Sequence, residues 1–497
     1  MNDQISTEQQ QIIDMYRAAL PNGEVSWFRI DPMDHLGIPV AHVEFAGADG
    51  SQYFAVGYGE TEGEALIGAF GEIHEKLQLS LSFDELPKQD ASYRELCDQH
   101  GSDHVIDPVT LCLPAGSPYH EDLTLRWTTV RRLRDGADCW IPVEFVSSFN
   151  SQIEYANQLT TAITNGNGAG DTFERALLHG LLELLQRDGN VDCFRALDRG
   201  KVFDPNTLPP SIQKLLDQLR EKQLEVMPKL ARVTCGCVSL YAVGRDQSDD
   251  AFPLTMTGCG EAADMNYERA LRKAILECAA SHTRKLFYHS PFERKASVTP
   301  PGYIQRQKAG IELEREEQRA LLQLVDWLGK DRDTLYDLLS KTVFLRKETV
   351  STEGLPRFGG TSITERLAYV REQLEREGLE IYVFEATSTP GNCAVVKAIV
   401  PGIEMEFGSY HRLGFRGVQR LLADDPHDLL GRVSKPGTAY VHLTPEQLET
   451  IGGPVYLNTA KLDQLVDPYY PLYREPDGHA ARYAFDTDYQ NAEFTTV

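Results

Sequence analysis

Residues 168–188 read GAGDTFERALLHGLLELLQRD, and this stretch has two relatives inside the same chain. Residues 57–77 read GYGETEGEALIGAFGEIHEKL, and residues 258–282 read GCGEAADMNYERALRKAILECAASH. Each contains Gly-x-Gly followed by an acid (Gly59-Glu60, Gly170-Asp171, Gly260-Glu261) and leads into a run with helical spacing. From Ala65 to Glu72, from Ala176 to Glu183 and from Ala270 to Glu277 the interval is seven residues, two helical turns along one face. The spacing predicts three units of strand, glycine turn and helix, each with a glutamate at an equivalent position.

The apolar segments YFAVG, QLTTAIT and FPLTMT are the expected strands of these units. Thr61 with Glu64, and Asp171 with Glu174, predict the helix starts. At ~1.5 Å per residue, Glu72 and Glu183 then lie about 16–18 Å along their helices. That is too far to cradle a phosphate at a helix N-terminus. Glu75 follows Glu72 by one turn on the same face.

Ala, Leu, Ile and Phe cover most faces of the runs, so a glutamate there is costly unless something positive meets it. A lone helical glutamate is ordinarily a solvated residue, whereas three in register point to one meeting place. Converging carboxylates repel unless divalent cations neutralise them, and Mg²⁺ prefers oxygen ligands and usually carries substrate phosphates. The expectation is a carboxylate-lined magnesium-nucleotide site. The run NGNGAG before the second helix is expected to be a loop that lets backbone approach a ligand closely.

At 497 residues the chain has ample length for a sizeable core. It holds no stretch of about 18 uncharged apolar residues, hence no expected transmembrane helix. The N-terminus MNDQISTEQQQ lacks the basic start and apolar core of a secretory signal, so a cytoplasmic protein is expected. A formal charge of −25 argues against nucleic acid or an anionic membrane as partner. Nine cysteines are scattered without a C-x-x-C pair. Cys235 and Cys237 are expected on one strand, facing the same way, as buried thiols and not zinc ligands.

Residues 1–26 are expected to hold an amphipathic helix, residues 27–434 the main α/β (α+β) domain, and residues 435–497 an extension over its body. Within the domain, about 292–350 has the pattern of a charged helical insertion, a surface hairpin or a docking arm for a partner. Residues 211–248 are expected to form a helix and then one strand.

TNGNGAGDTFERALLHGLLELLQRDG and GYGETEGEALIGAFGEIHEKL resemble the two most characteristic segments of the YcaO superfamily. HLGIPV, WIPVEFV, GCGEAADMNYERALRKAILECAASH and AVVKAIVPGIE occur in the family's order, so the resemblance spans roughly 27–420. It implies a fold in which ATP and Mg²⁺ sit among glutamate-bearing helices. It also implies activation of a peptide backbone amide by phosphorylation of its oxygen, giving azolines, thioamides or amidines in peptides or proteins. Such chemistry rests on positioning and charge neutralisation.

Carried over by resemblance, Glu72 and Glu75 match an E-x-x-E motif, and Glu183 and Glu277 match the acids of the other two helices. These four are the implied metal ligands. Gly170, Asp171, His179, Arg187 and Lys273 fall at implied nucleotide-binding positions. The chain departs from the family pattern at Tyr58, Gly68, Lys76, Gly168, Arg175, His179, Gln186 and Lys273. It ends EFTTV, where many azoline-forming members end in a proline-rich tail, and it shows no leader-peptide-binding domain. A partner protein is therefore expected to bring the peptide substrate, and the family suggests a homodimer. A YcaO-fold scaffold without ATP turnover is the alternative.

Overall fold

The computed structural model describes residues 5–48, 50–386, 393–405 and 408–489. Its first helix, α1 (Thr7–Ala18), starts on a capping box in which Ser6 and Gln9 satisfy each other's backbone N–H groups. An antiparallel meander follows, β1 (Gly23–Arg29), β2 (Val40–Gly47) and β3 (Gln52–Tyr58). The long helix α2 (Glu62–Glu85) packs back onto it.

Next come β4 (Gln89–Ala91), α3 (Tyr93–His100), β5 (Leu125–Arg132) and β6 (Asp138–Pro142), leading to β7 (Asn167–Gly170) and α4 (Phe173–Asn190). The central part runs β8 (Lys201–Phe203), α5 (Pro210–Glu221), β9 (Leu224–Thr234), β10 (Cys237–Asp246), β11 (Cys259–Asp264) and α6 (Tyr267–His289). Four helices, α7 (Phe292–Lys295), α8 (Tyr303–Gly310), α9 (Gln318–Leu328) and α10 (Arg332–Leu339), precede β12 (Glu348–Val350). The chain then returns through α11 (Ile363–Arg376), β13 (Tyr382–Glu385) and β14 (Ala394–Ile399) to α12 (Phe415–Ala423).

The tail holds the two-residue strands β15 (Leu430–Gly431) and β16 (Ala439–Tyr440), then α13 (Pro445–Ile451), β17 (Tyr456–Leu457), α14 (Thr459–Val466) and α15 (Ala480–Asp486). Helix α15 lies on α9, where Ala480, Ala481 and Ala484 join Leu321, Leu324, Val325 and Trp327 in one buried cluster. The apolar face of the 292–350 segment is thereby covered from within the chain.

Beyond the meander, the larger sheets have strand orders β11-β10-β9-β8-β12 and β4-β5-β13-β14-β7, with β6 added on β5. The strands that feed the three long helices, β3, β7 and β11, are each the end strand of a different sheet. Helix α2 packs on β3 and also on β7, α4 on β7 and also on β11, and α6 on β11 and also on β3. The three strand-helix pairs thus close a ring, each helix bridging its own strand to the next.

Glycine sets how tightly each pair packs. A Cβ on Gly57, Gly168 or Gly260 would stand 2.1 Å from the carbonyl oxygen of Ala65, Ala176 or Ala274 respectively. Only a residue without a side chain fits there. The run NGNGAG therefore belongs to β7 and its approach, pressed against α4 and β14.

The third pair is offset. Glu72 and Glu183 stand seven residues beyond the glycine-contacting Ala65 and Ala176, but Glu277 stands three beyond Ala274. Measured from the strand, Glu277 lies about one helical turn nearer than its two counterparts, so the three are not strictly equivalent.

Other expectations are corrected. QLTTAIT is irregular and FPLTMT contains a 3₁₀ turn (Pro253–Thr257); the strands of units two and three are the glycine-bearing segments that follow. Helix α4 is capped by Thr172, whose side chain accepts from the Arg175 N–H, and not by Asp171. The 211–248 region holds two strands after its helix. Cys235 (φ 46°) and Gly236 (φ 64°) form the hairpin turn between β9 and β10, so Cys235 and Cys237 do not share a strand. Among the described residues every cysteine is a free thiol. No helix there is long and apolar enough to cross a membrane. The EFTTV terminus lies outside the described residues.

Candidate functional site

Helix α4 supplies the centre of the site. The Gly166 N–H donates to Glu183 Oε2 at 3.1 Å, in a backbone turn (φ 87°) where a Cβ would meet the Ala398 carbonyl at 2.1 Å. One turn along α4, Arg187 reaches two acids: Nη2 to Glu183 Oε1 at 3.4 Å and Nη1 to Glu261 Oε2 at 3.2 Å. Glu261, on β11, is buried and also accepts from Asn190 Nδ2 and Arg195 Nη2, both at 3.1 Å.

Helix α6 brings Glu277, whose Oε2 accepts from the Tyr58 hydroxyl of β3 at 2.9 Å. Lys273, one turn earlier on α6, also acts on Glu277 electrostatically. Helix α2 brings Glu75, with His179 Nδ1 at 3.4 Å.

Burial pushes the Glu183 carboxyl above its ordinary range; Arg187 opposes this and the Glu75 charge adds to it. Burial likewise raises Glu277, opposed by Lys273 and reinforced by Glu261. Arg187 favours the charged form of both. The structure thus brings together Glu75, Glu183, Glu277, His179, Arg187 and Lys273, from three helices.

Three of the expected residues stand apart. Glu72 is 42% exposed and pairs with Lys76 at 2.8 Å, next to Arg284 and Tyr288. Asp171 turns outward to Arg175 at 2.6 Å, so the arginine that breaks the family pattern has a local partner. Gly170 pairs with Ala394 in the sheet, and a Cβ there would crowd Arg175.

Two residues of the site were not among the expected ones. Glu261 was visible as the acid after Gly-x-Gly, but its counterparts Glu60 and Asp171 face outward, so the motif could not separate them. Lys397, the one charge in the apolar run AVVKAIV, is buried in β14 beside Glu183. It donates to the Ser147 carbonyl at 3.1 Å and to that of Ile163, and burial lowers its pKa to about 7.

Oxygen donors that resist ionisation because they are buried near one another suit a hard divalent cation. Among the described residues no three acidic, histidine or cysteine side chains enclose an ion. Mg²⁺ keeps several waters and is ordinarily held by one or two carboxylates plus substrate phosphates. Arg187 and Lys273 lie beside these acids, where cations can meet phosphate oxygens. The residues present fit a magnesium-nucleotide group.

Comparison with known proteins identifies the family and the fold. The family model described as YcaO cyclodehydratase, ATP- and Mg²⁺-binding, matches residues 56–404. An uncharacterised protein of Methanothermobacter thermautotrophicus is 26% identical over 392 residues, 78% of this chain and 91% of that one.

Two solved structures share the fold. One is a heterocyclase in complex with substrate and cofactor, with TM-score 0.60 and 17% identity over 84% of this chain. The match spans only 55% of that heterocyclase's length. The other is YcaO from Methanopyrus kandleri bound with AMPPCP and Mg²⁺, with TM-score 0.54, 18% identity, and coverage of 82% of this chain and 93% of that one. With the match running across β3, the three glutamate-bearing helices and β14, the chain belongs to the YcaO cyclodehydratase family, whose cofactors are ATP and Mg²⁺.

Proposed function

We propose that this protein activates a peptide backbone amide at the expense of ATP, by phosphorylating the amide oxygen after a nucleophile has added to the carbonyl. The observation that carries this reading is the convergence of Glu75, Glu183 and Glu277 from α2, α4 and α6, with the Glu75 charge acting on Glu183 and Arg187 acting on Glu183 and Glu277. Magnesium supplies charge neutralisation for the transferring phosphoryl group.

The chain's own residues hold and orient. Glu183 is fixed by the Gly166 N–H and Glu277 by the Tyr58 hydroxyl, so both carboxylates are preset. Arg187, anchored through Glu261, stands ready to turn from Glu183 to a phosphate oxygen. Lys273 faces the same region as a secondary cationic contact, and His179 adjoins it through Glu75. Glu72, Gly170 and Asp171 have a weaker claim, because their side chains or backbone are engaged elsewhere. A separate partner protein delivers the peptide.

A second reading, a YcaO-fold scaffold without turnover, is favoured by one observation. Three departures from the family pattern each give a glutamate an internal partner: Tyr58 for Glu277, Lys76 for Glu72 and His179 for Glu75.

The two readings separate in an assay of phosphate release from Mg²⁺-ATP, with candidate precursor peptides followed by mass spectrometry. The enzyme reading expects ATP consumption together with peptide products that have lost water or exchanged oxygen for sulfur, both abolished by Glu183→Gln. Failure of the parent chain to bind Mg²⁺-ATP, together with nucleotide hydrolysis indistinguishable from that of Glu183→Gln, would favour the scaffold instead.

A further inference from the structure

A cavity of about 490 Å³ opens between β9, α12 and the segment joining α4 to β8. It lies at the end of α4, across the helix from the glutamates. Arg187 meets Glu183 and Glu261, whereas its neighbour Asp188 accepts from Arg416 and Arg420 of α12, both of which line the cavity.

The cavity wall is cationic although the chain carries a net charge of −25. Arg199, Lys201, Arg232, Arg416 and Arg420 line it, joined by the amide of Gln419. Among the described lining residues the one acid is Asp424, 77% exposed and paired with Arg199 at 2.7 Å. Asp188 and Asp192, which pair with Arg416, Arg420 and Arg232, are buried and are not themselves lining residues.

Two donors have capacity to spare. The Arg232 guanidinium, 31% exposed, spends Nη2 on Asp192 and lines the cavity, and Lys201 Nζ is 4.0 Å from its nearest acid, Glu348. Guanidinium forks match the geometry of carboxylate and phosphate. The volume falls in the ~300–1,000 Å³ range of small-molecule sites.

We propose that this cavity is a second ligand site, separate from the nucleotide site, for a small oxyanion bearing phosphate or carboxylate groups. Arg232 and Lys201 make the direct contacts, while Arg416 and Arg420 stay tied to Asp188 and shape the wall.

The test is calorimetric titration of the full chain with pyrophosphate and, separately, malonate, at constant ionic strength. Saturable binding of one anion per chain is expected. Lys201→Glu and Arg232→Gln should each weaken it about tenfold or more, and Glu183→Gln should leave it unchanged. Tighter pyrophosphate binding marks a phosphate-bearing ligand, and tighter malonate binding a carboxylate-bearing one. The proposal is overturned if neither anion binds at millimolar concentration, if binding survives both cavity substitutions, or if Glu183→Gln removes it. Should Arg232→Gln fail to fold, Lys201→Glu decides, since Lys201 is half-exposed and its loss opens no core.

Discussion

At the scale of the residue, the glycines carry as much of the account as the glutamates. The Cβ of Gly168→Ala would lie 2.1 Å from the Ala176 carbonyl oxygen and 3.1 Å from the Gly180 nitrogen, both backbone atoms that cannot step aside. The substitution should cost on the order of 1–3 kcal/mol or more, as overpacking does. Gly310, at the end of α8, has nothing within 4 Å of its would-be Cβ. Gly310→Ala should leave stability within about 0.5 kcal/mol, the range of neutral surface changes. Urea unfolding of the two variants beside the parent chain checks both. Equal midpoints for the two would mean that β7 and α4 are not packed as described.

The glutamate positions were legible because helical period is a local signal. Their partners were not: Tyr58 and Glu277 are 219 residues apart, and Arg187 and Glu261 are 74 apart. No spacing rule spans such intervals. The departures from the family pattern were visible, but not that Tyr58 and His179 each approach a glutamate.

At the scale of the element, the same contrast holds between helices and strands. The three long helices were predicted because their apolar residues recur on helical faces. Strand β7 was missed because its sequence, NGAG, has none of the β-branched or aromatic residues that mark strands. It holds its place through close packing on α4 and pairing with β14, which only the folded chain provides. Thr172 and Asp171 were hard to rank from sequence, since both are good capping residues. In the structure Thr172→Ala should cost about 1 kcal/mol. Asp171→Ala, which breaks only an exposed pair, should cost within about 0.5 kcal/mol. Thermal melts of the two variants separate the alternatives, and the opposite ranking would return the cap to Asp171.

A buried histidine ties three further elements together. His282 of α6 lies between Asp34, which follows β1, and Asp246 at the end of β10, with Nδ1 at 2.8 Å and Nε2 at 3.0 Å from their carboxylates. With both nitrogens facing carboxylates the ring is an imidazolium. Burial works against the charge, but the two acids outweigh it and raise the pKa to about 9. A group raised in the folded state contributes stability that is fully present below its unfolded pKa of ~6.5 and is lost as pH climbs through the folded value.

Unfolding free energy should therefore fall by a few kcal/mol between about pH 6.5 and 9. Asp246 gives the opposite limb: its pKa is depressed to about 2 by His282 and Ser248 despite burial, so its contribution is lost as pH drops from ~3.8 toward that value. Urea midpoints across this range check both limbs. His282→Gln should flatten the alkaline one, and an unchanged alkaline slope in that variant would remove His282 from the explanation.

At the scale of the whole molecule, three sheets end in strands that share three helices, and the ring so formed puts carboxylates from distant parts of the chain around one arginine. The sequence contained each part of this arrangement, while the closure of the ring depends on contacts between α2 and β7, α4 and β11, and α6 and β3. We propose that this meeting place binds a magnesium nucleotide. It is tested most directly by calorimetric titration of the purified chain with ATP, with and without Mg²⁺, beside Glu183→Gln. Saturable binding by the parent chain that requires Mg²⁺ and is lost in the variant is expected. Absence of binding at millimolar nucleotide, or equal binding by Glu183→Gln, would contradict it.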